Sequence, residues 1–228
     1  EAPVAAGKQK MDIKRAWEQR LNEVSAVFKT CPELSEGSAS FSFQILRTYF
    51  VNSEGSLVVQ NRVATRVMLM ASLKAADGME LPLNRDYFAY TPDDLPDNDR
   101  MIADARDMIK RLLALRDAPV ADPYTGPAIL SGPASGVFFH EIFGHRLEGH
   151  RLKSGGQTFK KMVGEQVLPV EFQVYCAPLL KRYADTDLYG HYVYDDEGVK
   201  ARRVDNVVNG VLKEFLMSRV PLDGFPSS

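Results

Sequence analysis

Three of the four histidines in this chain lie in one stretch, FFHEIFGHRLEGH, running from Phe138 to His150. A glutamate follows the first of them directly. Neutral imidazoles suit zinc, so His140 and His145 are candidate ligands for one divalent ion. Glu141 is then placed to act as a general base, taking a proton from metal-bound water whose pKa zinc lowers to ~7. The spacing is the difficulty. Histidines five residues apart sit roughly 140° apart on a regular α-helix, too far to share an ion comfortably. The zinc-protease pattern HExxH places its histidines one turn apart, and here its second histidine position holds Gly144.

Convergence therefore requires a distorted helix. A π-type turn, of about 4.4 residues, brings positions i and i+5 to within roughly 50° of one another. Gly144 is expected to ease that distortion, having no Cβ to resist it. Two imidazoles do not complete a catalytic zinc site, which normally has three protein ligands and an open position. His150, beside Gly149 and Arg151, reads as a histidine serving a helix C-terminus. His191 reads as a structural or surface residue.

Elements must hold this stretch in place. Trp17, Leu21, Val24 and Phe28 follow the spacing of one buried face and predict a helix over residues 11–29, with Trp17 a core anchor. From Ser40 to Tyr90 the pattern is of strands. SFSFQILRTYFV, SLVVQ and TRVMLMASLKA, with turn signals at NSEG and Asp77-Gly78, predict an antiparallel meander of about four strands. Asp97 predicts the N-cap of a helix over 98–116, with Ile102, Ile109, Leu112 and Leu113 inward. The neighbouring Asp93, Asp94 and Asp99 read as capping and solvated groups, not a calcium loop, since no closing glutamate follows at the right spacing. GPAILSG reads as a short buried strand. PASGVFFHEIFGHRLEG reads as one helix stopped by Gly149. LPVEFQVYCAPLL predicts a strand, HYVYDDEG a strand entering a turn, and Asn209-Gly210 a hairpin. Blocks of helices and blocks of strands without βαβ alternation predict an α+β fold. Residues 1–10 read as a linker arm and 11–228 as a single domain.

The formal net charge of −2 gives no basis for a direct nucleic-acid interface. No apolar run approaches the ~20 residues of a membrane span. Two cysteines, Cys31 and Cys176, make no disulfide framework. The arm EAPVAAGKQK suits a periplasmic or secreted protein and, nearly as well, a cytoplasmic one.

GVFFHEIFGHRLEG resembles the signature of the TldD/PmbA family of metallopeptidases, also described as modulators of DNA gyrase. GGQTFKKMVGEQVLP, YVYDDEGVKARR and VVNGVLKEFLMSR are similar to the segments that follow it in that family. The resemblance covers residues 125–228 firmly and 36–116 more loosely. It implies a zinc peptidase acting on peptides or unfolded proteins, with His140 and His145 as ligands and Glu141 as the acid/base. It also implies a third ligand, a cysteine in a C-terminal half, and a protein about twice this length, so the chain is expected to be a fragment and a poor enzyme alone. Cys176 could substitute, since thiolate suits zinc, but it sits mid-strand in an apolar run, where structural cysteines are commoner. Family members also pair, so a homo- or heterodimer is expected. The alternative is a non-catalytic scaffold or partner subunit supplying half a site.

Overall fold

The structure, a computed structural model, describes residues 7–153 and 159–225. It is α+β, with three α-helices and antiparallel sheets. The chain divides into two compact units. The first comprises residues 1–49, 59–122 and 182–189, and the second residues 50–58, 123–181 and 190–228.

In the first unit, helix α1 (Gly7–Ala26) runs into a short 3-10 helix at Phe28–Thr30. The expected arm of residues 1–10 is thus helical from Gly7 onward, and its first six residues lie outside those described. Strands β1 (Leu34–Val51), β2 (Leu57–Lys74) and β3 (Glu80–Ala89) form a sheet in that order, and all but residues 50–58 at the β1–β2 tip belong to this unit. The expected four strands are three. No glycine or proline interrupts the chain between SLVVQ and TRVMLMASLKA, so the two segments run on as one strand of 18 residues. The β2–β3 register pairs Lys74 with Glu80 across the Asp77-Gly78 turn, where Gly78 takes φ +88°. That left-handed conformation is the reason for glycine there.

Along β2, Val67, Leu69, Ala71 and Leu73 alternate inward and are at most 2% exposed. This is the period-2 pattern of a strand with one buried face. Helix α2 (Asn98–Arg116) completes the core with Met101, Ala105, Met108 and Leu112, while Ile102, Ile109 and Leu113 pack at its margin. Its N-cap is Asp97, whose carboxylate accepts from the Arg100 N–H at 2.8 Å. Trp17 is buried and stacks on Phe41 at 4.3 Å between ring centroids. Arg20 covers the Trp17 ring and bonds to Asn98 Oδ1 and the Pro96 carbonyl, joining α1 to the start of α2.

The second unit is built on less regular structure. Helix α3 (Gly132–Ile142) is followed by 3-10 helices at Gly144–Leu147 and Gly149–Lys153. Strands β4 (Val174–Cys176), β7 (Val204–Val208) and β8 (Val211–Leu212) form its sheet. Two short strands of the first unit, β5 (Arg182–Tyr183) and β6 (Thr186–Asp187), fall between them in sequence. The β7–β8 turn is Asn209-Gly210 as expected, both at positive φ (50° and 77°). That pair of left-handed residues suits a two-residue hairpin.

Three strand expectations are corrected here, the first being HYVYDDEG, which enters its turn with only an isolated bridge between Tyr194 and Lys200 in place of a strand. GPAILSG forms no strand, and Ile129 is fully exposed. Pro127 and Pro133 bracket the segment and remove N–H groups that a ladder needs. The strand read over LPVEFQVYCAPLL shrinks to Val174–Cys176, because the chain turns back at Pro169, whose carbonyl accepts from the Phe172 N–H. In the Asp-Glu-Gly turn, the Asp195 carboxylate accepts from the N–H groups of Glu197 and Val199. Phe143, Leu147, Leu152, Phe159, Val207, Leu212 and Phe215 form the core of this unit.

Candidate metal centre

Helix α3 carries His140 and Glu141 in its last turn and ends at Ile142. Phe143 leaves the helical conformation, at φ −125° and ψ −48°, while its N–H still bonds to the Phe139 carbonyl at 3.0 Å. The chain then tightens into a 3-10 turn, with the Arg146 N–H on the Phe143 carbonyl at 2.9 Å. The single helix read from PASGVFFHEIFGHRLEG is therefore broken between the two histidines. The expected distortion is present, but its form is corrected. It is a change from α to 3-10, not a π-type turn. Burial of Phe143 and Leu147, 4% and 2% exposed, fixes the break. Phe143 packs against Phe139 and Phe159 at 5.1 and 5.3 Å between centroids. Gly144 is not the cause, since it has no positive φ and a Cβ there would meet only ordinary contacts.

The break brings His140 and His145 together, with ring centroids 4.4 Å apart and planes at 65°. Glu141 lies between them. Its Oε1 is 3.9 Å from His140 Nε2, and its Oε2 is 3.6 Å from His145 Nε2. One donor atom from each of His140, Glu141 and His145 falls in a set spanning 4.8 Å. Zinc bonds of about 2.0–2.2 Å bridge such a set after small side-chain rotations, so the residues present fit a zinc ion. Cys176 is outside this group, and burial raises its thiol pKa. That is the behaviour of a structural cysteine, not of a thiolate ligand. The His140 and Glu141 side chains are about three-fifths exposed and His145 about one-third, so the centre is open to a polypeptide from solvent.

Sequence reasoning overlooked the support behind His145. Glu148 places Oε1 2.6 Å from His145 Nδ1 and accepts from Arg151 Nε through Oε2 at 2.5 Å. Burial works to raise the Glu148 pKa, but the bonds to Arg151 and His145 outweigh it and leave it below the usual carboxylate range. His150 stands 3.6 Å from the same Oε2. The signal was available, since Glu148 follows His145 by three residues and Arg151 follows Glu148 by three.

Comparison with known proteins identifies the segment. Residues 123–221 match the PmbA/TldA metallopeptidase C-terminal domain. This segment belongs to the TldD/PmbA family. The chain is 30% identical over 176 residues to a metalloprotease of Methanothermobacter thermautotrophicus, covering 75% of this chain and 36% of the relative. It is 24% identical over 218 residues to a zinc metalloprotease TldD homolog of Saccharolobus solfataricus, covering 91% and 46%. Among solved structures, a Bacteroides thetaiotaomicron protein named for modulation of DNA gyrase superposes with a TM-score of 0.66 at 13% identity, covering 88% of this chain and 45% of that one. TldE from Thermococcus kodakarensis superposes at 0.58 and 17%, covering 96% and 48%. These two likenesses establish the fold. The chain spans less than half the length of each of these relatives. No helix among the described residues is long and apolar enough to cross a membrane.

Proposed function

We propose that this chain carries the metal-holding and proton-moving residues of a TldD/PmbA-type zinc metallopeptidase that cleaves peptides or unfolded proteins. The observation that supports it is the convergence of His140, Glu141 and His145 within the segment that matches the family domain. His140 and His145 hold the ion through imidazole nitrogens. Bound there, zinc supplies Lewis acidity, lowering the pKa of a water to ~7 and polarising the scissile carbonyl. Glu141, between the two Nε2 atoms, takes the proton of the attacking water and returns it to the leaving amine. Its exposure gives an extended backbone access to the carboxylate. A third protein ligand is a cysteine outside this chain, so the 228 residues alone bind metal weakly and catalyse poorly. The working enzyme is a homo- or heterodimer with a family member.

A second reading makes the chain a scaffold or partner subunit. It is favoured by one fact: among the described residues the group offers two imidazoles and one carboxylate, and no thiolate.

Metal content by mass spectrometry, beside cleavage of an unstructured peptide with and without chelator, tests the division of labour in the longer protein. His140→Ala and His145→Ala should lose zinc. Glu141→Gln should keep zinc and lose hydrolysis by about 10²–10⁴-fold. Zinc retained in both histidine variants would overturn the site. Full hydrolysis by Glu141→Gln would overturn Glu141 as the acid/base, and chelator-insensitive or absent cleavage by the parent protein would favour the scaffold reading.

A further inference from the structure

We propose that Glu148 is a positioning residue of this centre, accepting the Nδ1 proton of His145 so that Nε2 faces Glu141 as a free lone pair. The proposal rests on the metal reading of His140 and His145 and adds to it the group that selects which nitrogen of His145 binds.

The distances decide the tautomer. A carboxylate oxygen 2.6 Å from Nδ1 requires a proton between them, since two acceptors at that separation repel. Arg151 Nη2 also approaches Nδ1, at 3.2 Å, which read alone would make Nδ1 an acceptor. The two contacts demand opposite tautomers. The shorter, charge-assisted one prevails, and Arg151 already donates to Glu148 Oε2 at 2.5 Å. With Nδ1 protonated, Nε2 carries the lone pair, and it is Nε2 that stands 3.6 Å from Glu141. Left to itself in water, a histidine favours the Nε2–H form, which would present a proton to an arriving cation. The partner on the other nitrogen sets which form is present.

The backbone holds Glu148 where it can do this. Leu147 is buried, and its carbonyl accepts from the Leu216 N–H at 2.8 Å. The Gly149 N–H donates to the Leu216 carbonyl, also at 2.8 Å, so Glu148 sits in a parallel bridge opposite Leu216. A Cβ at Gly149 would lie 2.4 Å from Met217 Sδ and 2.8 Å from the Leu216 carbonyl oxygen, so glycine permits this approach. Both Glu148 oxygens are engaged, one by the imidazole and one by the guanidinium. That arrangement is the carboxylate–histidine support seen behind metal-binding imidazoles generally.

The test uses the full 228-residue chain labelled with 15N at histidine. Long-range proton–nitrogen spectra of the metal-free protein, above the imidazole titration range, should show His145 as the Nδ1–H form. In Glu148→Ala the Nε2–H form should take over. Affinity for Zn2+ alone, by competition with a chromophoric chelator, should fall about 10–100-fold in Glu148→Ala. Glu148→Gln, whose side-chain carbonyl accepts the same proton, should keep the tautomer and most of the affinity. A wild-type His145 in the Nε2–H form would overturn the proposal. So would zinc affinity unchanged in Glu148→Ala while His145→Ala loses it. Should Glu148→Ala fail to fold, the wild-type tautomer and the Glu148→Gln affinity decide the matter. Zinc affinity indifferent to both His140→Ala and His145→Ala would bring down the metal reading itself, and this proposal with it.

Discussion

The rings of His140 and His145 meet edge to face at 4.4 Å, although five residues separate them. A regular helix would hold them roughly 140° apart. The meeting is produced by Phe143, the residue at which α-helix gives way to 3-10 turn. Phe143 is 4% exposed and wedged between Phe139 and Phe159. Phe143→Ala should therefore cost about 3–5 kcal/mol, the usual range for a buried aromatic truncated to alanine. It should also weaken zinc binding, since the break would no longer be fixed by packing. Chemical denaturation with chelator competition on the same sample checks both. Stability lost with zinc affinity intact would show that the break does not depend on this ring.

Gly144, by contrast, should be replaceable. It lies inside HEIFGH and invites the reading that a missing Cβ lets the helix deform. Its φ is not positive, and an added Cβ would be 3.8 Å from His140 Nδ1 and 3.9 Å from the Phe139 carbonyl. Gly144→Ala is expected within about 0.5 kcal/mol of the parent, like other substitutions that remove no named interaction. Zinc affinity should stay within a few-fold. A large loss in either would return the distortion to Gly144.

Gly149 is the glycine that matters. Alanine there would press on the Leu216 backbone as well as on Met217. Met217 can swing aside, but a carbonyl bonded to the Gly149 N–H cannot move without breaking that bond. Gly149→Ala should cost about 1–3 kcal/mol, as overpacking does. Thermal unfolding should show the drop, and Gly144→Ala serves as its control. Equal behaviour of the two variants would mean that the close approach at Leu216 is not maintained in solution.

Much of the first unit was legible because its pattern is local. Asp97 announced α2 and its cap, the Trp17 face announced α1, and Asp77-Gly78 announced a hairpin. The count of strands was missed because alternation continues through Asn61 and Arg62 without a punctuating residue. The second unit was harder. GPAILSG looks buried by composition, yet Ile129 stands fully in solvent, and composition does not say whether a partner strand exists. At the centre, residue types and spacing pointed to His140, Glu141 and His145, and to a distortion between the histidines. The form of that distortion depends on Phe143 packing against Phe159, a contact sixteen residues away that no local periodicity encodes. Glu148 was visible at i+3 from His145. Its engagement depends on Leu216 bonding to both Leu147 and Gly149 across some seventy residues of chain.

The pH dependence of the first unit should pass through Asp104. This carboxylate is 11% exposed and accepts from the Tyr87 hydroxyl at 2.6 Å and from Arg100 Nε at 3.0 Å, with Arg85 at 3.9 Å. Burial works to raise its pKa, but these partners outweigh burial and hold it below the ordinary value of 3.8. Tyr87, half-buried beside the carboxylate, has its own pKa raised by desolvation and by Asp104 and stays a hydroxyl donor. A folded-state pKa below the unfolded one means that the folded state binds the proton less readily. The contribution to stability is therefore complete above the unfolded carboxylate pKa, ~3.9, and is lost as pH falls through the lower folded value. Asp104→Asn should destabilise the first unit at neutral pH by about 1–3 kcal/mol, since it removes a charge-assisted acceptor from partly buried donors. It should also flatten the decline in stability below pH 4. Trp17, the chain's single tryptophan, is stacked on Phe41 in this unit's core and reports its unfolding by fluorescence. Denaturation followed at Trp17 from pH 3 to pH 7, for parent and Asp104→Asn, gives both quantities. Parallel pH profiles for the two proteins would place the acid sensitivity elsewhere.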